Sequence, residues 1–419
     1  MVSLFVSFTA LFAAVFCLLM GIGLLGTLLS LRMAMAGFSP QSIGLIMAAY
    51  YTGLVLGSLV CQRLIARVGH IRAFAAFAAV TTITALLHGL NASPFFWGGL
   101  RLLTGISAIG LFMVIESWLN ECTASDTRGR VFSLYMVLSY LGMGAGQMLL
   151  NVGDVKTQEL FLVAAVFLSG CLIPVVVTHS VQPSLPKKAH YGFAALFFKS
   201  PLGILGCVSA GLINSSLYAL GPAFSRQVGF STSQTSWFMS AAILGGLAIQ
   251  WPVGVLSDRF DRTLFLALLG GLVAAASCAM LWIGGNAAEW TILGMFFFGG
   301  SVFTIYPVAV ARAYDVFAGE DIVAVSSALL LGYGIGASLG PIAASMSMAA
   351  LKTPYGLFVF CGAVGAIYAI VTLYSRKRKK IEIVAVKDQV AFMPMKSASP
   401  VAVQIDPRSD AGQNIDQQR

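Results

Sequence analysis

Charge is what this chain has least of. Only 10% of its 419 residues are Asp, Glu, Lys or Arg, whereas soluble globular domains run near a quarter. The deficit extends along the first ~370 residues, so a single anchor beside a soluble domain does not account for it. Cysteine is sparse and unpatterned. Cys17, Cys61, Cys122, Cys171, Cys207, Cys278 and Cys361 show no paired spacing and no metal-ligand cluster, which leaves them as small core residues. No Gly-x4-Gly-Lys-Ser/Thr phosphate loop occurs, so ATP is not a driver bound within this chain. Clusters of acids or histidines near one membrane face, which a polytopic membrane enzyme would need, are also missing. The chain is therefore read as no enzyme, with no metal and no resident cofactor. The first apolar run is too long for a cleavable signal peptide and lacks a basic n-region; it is expected to stay as the first span.

What is abundant is apolar sequence: 58% of residues are hydrophobic. Runs of about 20 residues recur, each long enough to cross a hydrocarbon layer of roughly 30 Å. Twelve spans are predicted, at about 5–31, 42–64, 72–91, 95–118, 131–151, 159–179, 202–225, 234–256, 264–284, 290–312, 323–347 and 354–374. Pro174, Pro222, Pro252, Pro307 and Pro341 fall inside them, and spanning helices tolerate such prolines. The 44 glycines concentrate in the spans, where small residues let helix backbones approach closely. The fold class predicted is an all-α membrane protein.

The net charge of +9 does not indicate nucleic acid, because the basic residues sit in short loops and in the tail. One set of loops holds Arg63, Arg67 and Arg72; Arg128 and Arg130; Lys187, Lys188 and Lys199; Arg259 and Arg262; Arg312; and the run from Arg376 to Lys380. The alternate set holds only Arg32, Lys156, Arg226 and Lys352. Basic loops face the cytoplasm, so both termini are expected there, in a bacterial inner membrane. The longest internal loop carries Pro183, Pro186, Lys187 and Lys188 and divides the chain. The organisation read from this is a first six-helix bundle (1–180), a cytoplasmic loop (181–200), a second six-helix bundle (201–374) and a disordered basic and polar tail (375–419).

The halves repeat. Arg67 in LIARVGHIR pairs with Arg259 in LSDRFDR at an offset of 192 residues. Ser133 pairs with Ser326, and Tyr140 with Tyr333, at 193. A near-constant offset across matches this far apart points to duplication of a six-helix unit. Such repeats often place a solute site near the membrane midplane where they meet.

Two charges interrupt the fourth span. An ionisable residue in an apolar helix is expensive and usually faces a bundle interior or a wet cavity. Arg101 lies seven residues after Pro94, roughly 10 Å deep, a depth from which a long side chain also snorkels. Glu116 lies fifteen residues further, about 22 Å along the axis and within roughly 60° of the same face. It reads either as an ion-pair partner of Arg63, Arg67 or Arg72 or as a protonatable carboxyl in a pathway. Mid-depth polar residues are further candidates for cavity lining or for helix–helix hydrogen bonds: Tyr50, Tyr51, Gln147, Asn214, Tyr218, Gln250, Tyr306 and Tyr333. His88 is expected at the membrane interface. The glycine steps Gly142–Gly146 and Gly332–Gly340 are candidate pivot surfaces.

These strings resemble the major facilitator superfamily. Its loop signature Gly-x-Leu-Ala/Ser-Asp-Arg-x-Gly-Arg-Arg is matched by Gly254, Leu256, Ser257, Asp258, Arg259 and Arg262, with Asp261 where glycine is usual. The first-half copy keeps Arg67, Gly69 and Arg72 but has Ala66 in place of the acid. Arg101 and Gly105 match the Arg-x-x-x-Gly motif of the fourth helix, followed by Glu121, Arg128 and Gly129. VIESWLNECTASDTRGR, IQWPVGVLSDRFDR and TIYPVAVARA resemble most the bacterial YcaD-like branch. The resemblance implies two pseudo-symmetric six-helix bundles and secondary transport of a small molecule by alternating access, with no ATP.

It further implies that Arg101 lines a cavity, holding an anionic substrate or tuning a proton site. Asp258, Arg259 and Arg262 with Glu121 and Arg128 are implied to latch the cytoplasmic side, in a gate that also takes in Arg67, Gly69, Arg72 and Gly254. Proton-coupled efflux of a small amphipathic compound is the expected activity, with the proton gradient as driving force. Uptake symport of a small metabolite is the alternative, and a membrane receptor or scaffold that transports nothing is a third class. The expected partners are the substrate and the lipid bilayer, for a monomer without nucleic acid.

Overall fold

A computed structural model describes residues 2–90, 93–123, 127–177, 199–283, 287–317 and 322–378, together with 384–386, 389 and 392 of the tail. The expected inter-bundle loop falls almost wholly outside the described residues. Among the described residues, twelve helices are long and apolar enough to cross a membrane. They are α1 (Val2–Met35), α2 (Pro40–Val68), α3 (His70–His88), α4 (Pro94–Cys122), α5 (Arg128–Met148), α6 (Glu159–Gly170, resuming at Leu172–Val177), α7 (Pro201–Gln227), α8 (Thr232–Ser257), α9 (Arg262–Ile283), α10 (Ala288–Val316), α11 (Ile322–Ala350) and α12 (Gly356–Lys377). A helix satisfies its backbone internally, which a bilayer demands. The helices overrun the predicted spans by a turn or so at many ends.

Proline divides one helix and leaves four whole. Pro174 removes the N–H that would bond Gly170, and α6 breaks there, at Cys171. Pro222, Pro252, Pro307 and Pro341 lie within continuous helices. Arg312, expected in a loop, is instead buried in the last turns of α10, where its Nε donates to Thr263 Oγ1 at 3.2 Å.

The first six helices pack α2 on α4, α1 on α5 and α6, and α3 on α4 and α6; the second six pack α8 on α10, α7 on α11 and α9 on α12. An even number of spans brings both ends of the helical region to one face, here the terminal face; the opposite one is the distal face. The repeat is visible in the caps. Ser39 caps α2 by accepting from Ser42 N, and Ser231, 192 residues on, caps α8 by accepting from Gln234 N. It is visible in the crossings too. A methyl on Gly53 or Gly105 would overlap the facing backbone of α4 or α2, and one on Gly245 or Gly299 would do the same between α8 and α10.

The glycine steps expected to pivot lie on both kinds of contact: Gly144 faces Ile243 of α8 and a methyl on Gly334 would overlap Val55 of α2, across the bundles, while their neighbours pack inside them. Gly142 and Gly146 abut α1 at Phe16 and Met20, while Gly336 and Gly340 abut α7 at Val208 and Leu212. The bundles meet through α2 with α11, α5 with α8 and α1 with α7. In the distal half, Ser30 Oγ donates to the Ala219 carbonyl at 2.6 Å and Ser240 Oγ to the Gly144 carbonyl at 3.1 Å.

Candidate functional site

A cavity lies where the bundles meet, with about 940 Å³ of space free of protein atoms, counting the part open to solvent. Arg101, Tyr51, Gln147, Tyr218 and Tyr333 all line it, as does Tyr50. Most of the lining belongs to the first bundle; Tyr218, Phe303 and Tyr333 are the second bundle's share.

Arg101 is the cavity's charged side chain. It is 4% exposed, and its guanidinium lies over the Tyr50 ring, 4.4 Å from the centroid. Its Nε has no hydrogen-bond partner, and no carboxylate among the described residues pairs with it. A ring face stabilises a desolvated cation by about 2 kcal/mol, well short of the several kcal/mol that removing an ion from water costs. The site is therefore poised for an anion or for water. Aromatic rings form the rest of the wall: Tyr50 meets Tyr51 at 5.3 Å, Tyr218 meets Phe303 at 5.5 Å and Tyr140 meets Phe303 at 6.3 Å between centroids. Gln147 has a structural role beside its place in the lining. It accepts from Thr27 Oγ1 at 2.5 Å and donates to the Gly23 carbonyl at 3.2 Å.

Glu116, Asn214, Tyr306 and Gln250 lie outside the cavity lining. Glu116 is fully buried and accepts from the Tyr135 hydroxyl at 2.9 Å, whereas Arg63, Arg67 and Arg72 are exposed. Asn214 is 1% exposed, and its Oδ1 has no hydrogen-bond partner among the described residues. Tyr306 stacks edge-on with Tyr333 at 5.2 Å. His88, the last residue of α3, is buried between Trp97 and Phe161, with Nδ1 at 2.5 Å from the Thr84 carbonyl.

The loops on the terminal face differ between halves. Gly69 adopts φ 85° between α2 and α3, a left-handed conformation suited to glycine. In the second half Arg262, fully buried, bonds both Asp258 and Asp315, the latter at 2.5 Å. The latch residues Asp258 and Arg262 are thus paired inside the second bundle, and Arg259 is exposed. The side chains of Glu121 and Arg128 lie outside the described set. Gly254, on the last turn of α8, faces Phe392 from the tail. Of the tail beyond Arg378, only 384–386, 389 and 392 are among the described residues. Sequence reading missed Tyr135 and Asp315. An acid at the end of an apolar span is itself a signal, and Asp315 was legible on that ground.

The family model of the Major Facilitator Superfamily matches residues 11–318. The chain belongs to the major facilitator superfamily. As a superfamily member it is a transporter rather than an enzyme, and it crosses the membrane many times. It is 31% identical over 361 residues to the MFS-type transporter YcaD of Salmonella newport (strain SL254), covering 85% of this chain and 92% of that relative. The YcaD of Salmonella typhi matches to the same extent. Among solved structures, the nucleoside transporter NupG superposes with a TM-score of 0.72 at 14% identity, over 90% of this chain and all of that one. A bacterial homologue of the human lysosomal transporter Spinster, inward-facing and unoccupied, gives 0.70 at 14% identity over 93% of this chain and 98% of that one. At these identities the two structures establish the superfamily fold alone.

Proposed function

We propose that this transporter exports a small amphipathic compound bearing an acidic group, in exchange for protons, by alternating access in a bacterial inner membrane. The observation that carries the reading is Arg101, buried in an aromatic cavity with no carboxylate partner among the described residues. An acidic group on the solute neutralises that charge, and the rings of Tyr50, Tyr51, Tyr218 and Phe303 accept an apolar body. The inside-negative potential favours outward movement of an anion, by about 2.3 kcal/mol per charge per 100 mV. Glu116, on the same helix toward the terminal face, is the proposed proton carrier, its carboxylate held by Tyr135. The basic residues of the terminal face support a cytoplasmic position for both chain ends. The ties between Ser30 and Ala219 and between Ser240 and Gly144 close the distal half, which supports an inward-facing state.

Vesicles containing the purified protein test this. Under an imposed pH gradient, wild type is expected to move an amphipathic organic acid and not its uncharged amide, and Glu116→Gln is expected to move the acid without responding to the gradient. Equal movement of acid and amide contradicts the assignment to Arg101. Accumulation of the acid together with protons indicates uptake symport instead.

A further inference from the structure

The loop between α8 and α9 holds part of the chain's own tail. Arg376, near the end of α12, donates from Nε to Asp261 Oδ2 at 3.0 Å. Further along, Gln389 Nε2 donates to the Phe260 carbonyl at 3.3 Å. Phe392 donates its backbone N–H to both Asp258 carboxylate oxygens, at 3.0 and 3.2 Å. Its ring packs at the edge of the hydrophobic core, over Gly254, where a methyl group would overlap it. Asp258 in turn bonds buried Arg262, which holds Asp315. A continuous polar chain thus joins the tail to the interior of the second bundle.

The ring's place on α8 matters as much as its anchors. Ile243 of α8 faces Gly144 of α5 in the distal half. Gly254 follows Ile243 by eleven residues, three turns plus about 20°, so both lie on one face of the helix. Phe392 therefore covers, at the terminal end of α8, the same stripe that meets the first bundle at the distal end. α5 runs antiparallel to α8, and its first turn at Arg128–Arg130 lies toward that end.

We propose that the loop Gly254–Asp261 is a docking site for the C-terminal segment and that Phe392 is a wedge on it. The docked ring occupies the surface α5 must reach when the terminal face closes, so the tail restrains the transporter in the state seen here. Release of Phe392 permits closure. This rests on the alternating-access reading above, but its test needs no solute.

Nitroxide labels at Arg130→Cys and Leu264→Cys, with the native cysteines replaced, report the gap between α5 and the start of α9. Both positions are exposed. The full chain is expected to give one long distance. Phe392→Ala, and a chain ending at Lys380, are each expected to raise a shorter population several-fold; Phe392→Tyr, which keeps the ring, is not. Amide exchange across 254–262 is expected to quicken in the same two variants. Distances identical in all four proteins overturn the wedge, even where exchange quickens. Exchange and distances that both stay unchanged overturn docking as well.

Discussion

The two halves of this molecule share a scaffold and differ in where they keep charge. At an offset of 192, Ala66 stands for Asp258, His70 for Arg262 and Thr123 for Asp315. The second half has a buried ion network there. The first half has an aromatic contact, His70 against Trp118 at 6.2 Å between centroids, and Thr123 bonded to the Leu119 carbonyl. Conversely Arg101 corresponds to exposed Leu293, and Glu116 to buried Val308. The first half therefore carries the charge that faces the cavity, and the second half carries the charge that stiffens a loop and receives the tail. What is duplicated is packing; what has diverged is chemistry.

The largest expected effect breaks this contrast directly. Arg262→Ala removes the buried cation that bonds Asp315 at 2.5 Å, a loss of about 3–5 kcal/mol. The matched change His70→Ala removes an aromatic contact worth about 0.5–1.5 kcal/mol beyond its buried area. Thermal unfolding in detergent is expected to show a much lower midpoint for Arg262→Ala; equal shifts would erase the contrast. Next come the shared crossings. Gly53→Val and Gly245→Val both force a side chain into a facing backbone, each costing about 1–3 kcal/mol. Closely similar losses are expected, and strongly unequal ones would show that the repeat does not extend to packing. Smallest in stability is Glu116→Gln, which keeps the side chain's shape and an amide oxygen that still accepts from Tyr135, a loss on the order of 1 kcal/mol. Its expected signature is a missing response to the proton gradient with an almost unchanged midpoint.

The fold was legible because a membrane imposes one rule on long stretches of chain. Twelve apolar runs and a fixed offset were sufficient to place the helices and the two six-helix units. Arg101 was legible because a charge in an oily helix needs a wet or polar neighbour, and Tyr51, Gln147, Tyr218 and Tyr333 converge with it. The rest depended on rotation about helix axes that no short pattern fixes. Glu116 shares a helix face with Arg101, yet it lies outside the cavity lining and accepts from Tyr135 of α5. Arg312 ended an apolar run and looked like a loop residue, but α10 continues past it and buries it. Phe392 sits in a short apolar run, Val390–Met395, too brief to read as a span and set in a tail that is polar as a whole, so it was not marked as an anchor.

The account stands or falls on what Arg101 does in the cavity. The direct measurement is equilibrium binding to purified protein of a matched pair, an amphipathic organic acid and its amide, with wild type and Arg101→Ala side by side. The account predicts that wild type prefers the acid by tenfold or more, about 1.4 kcal/mol, and that Arg101→Ala loses the preference. Arg101→Lys is expected to keep part of it, because an ammonium retains the charge but not the planar stacking on Tyr50. Equal binding of acid and amide by wild type, or a preference that survives in Arg101→Ala, would contradict it.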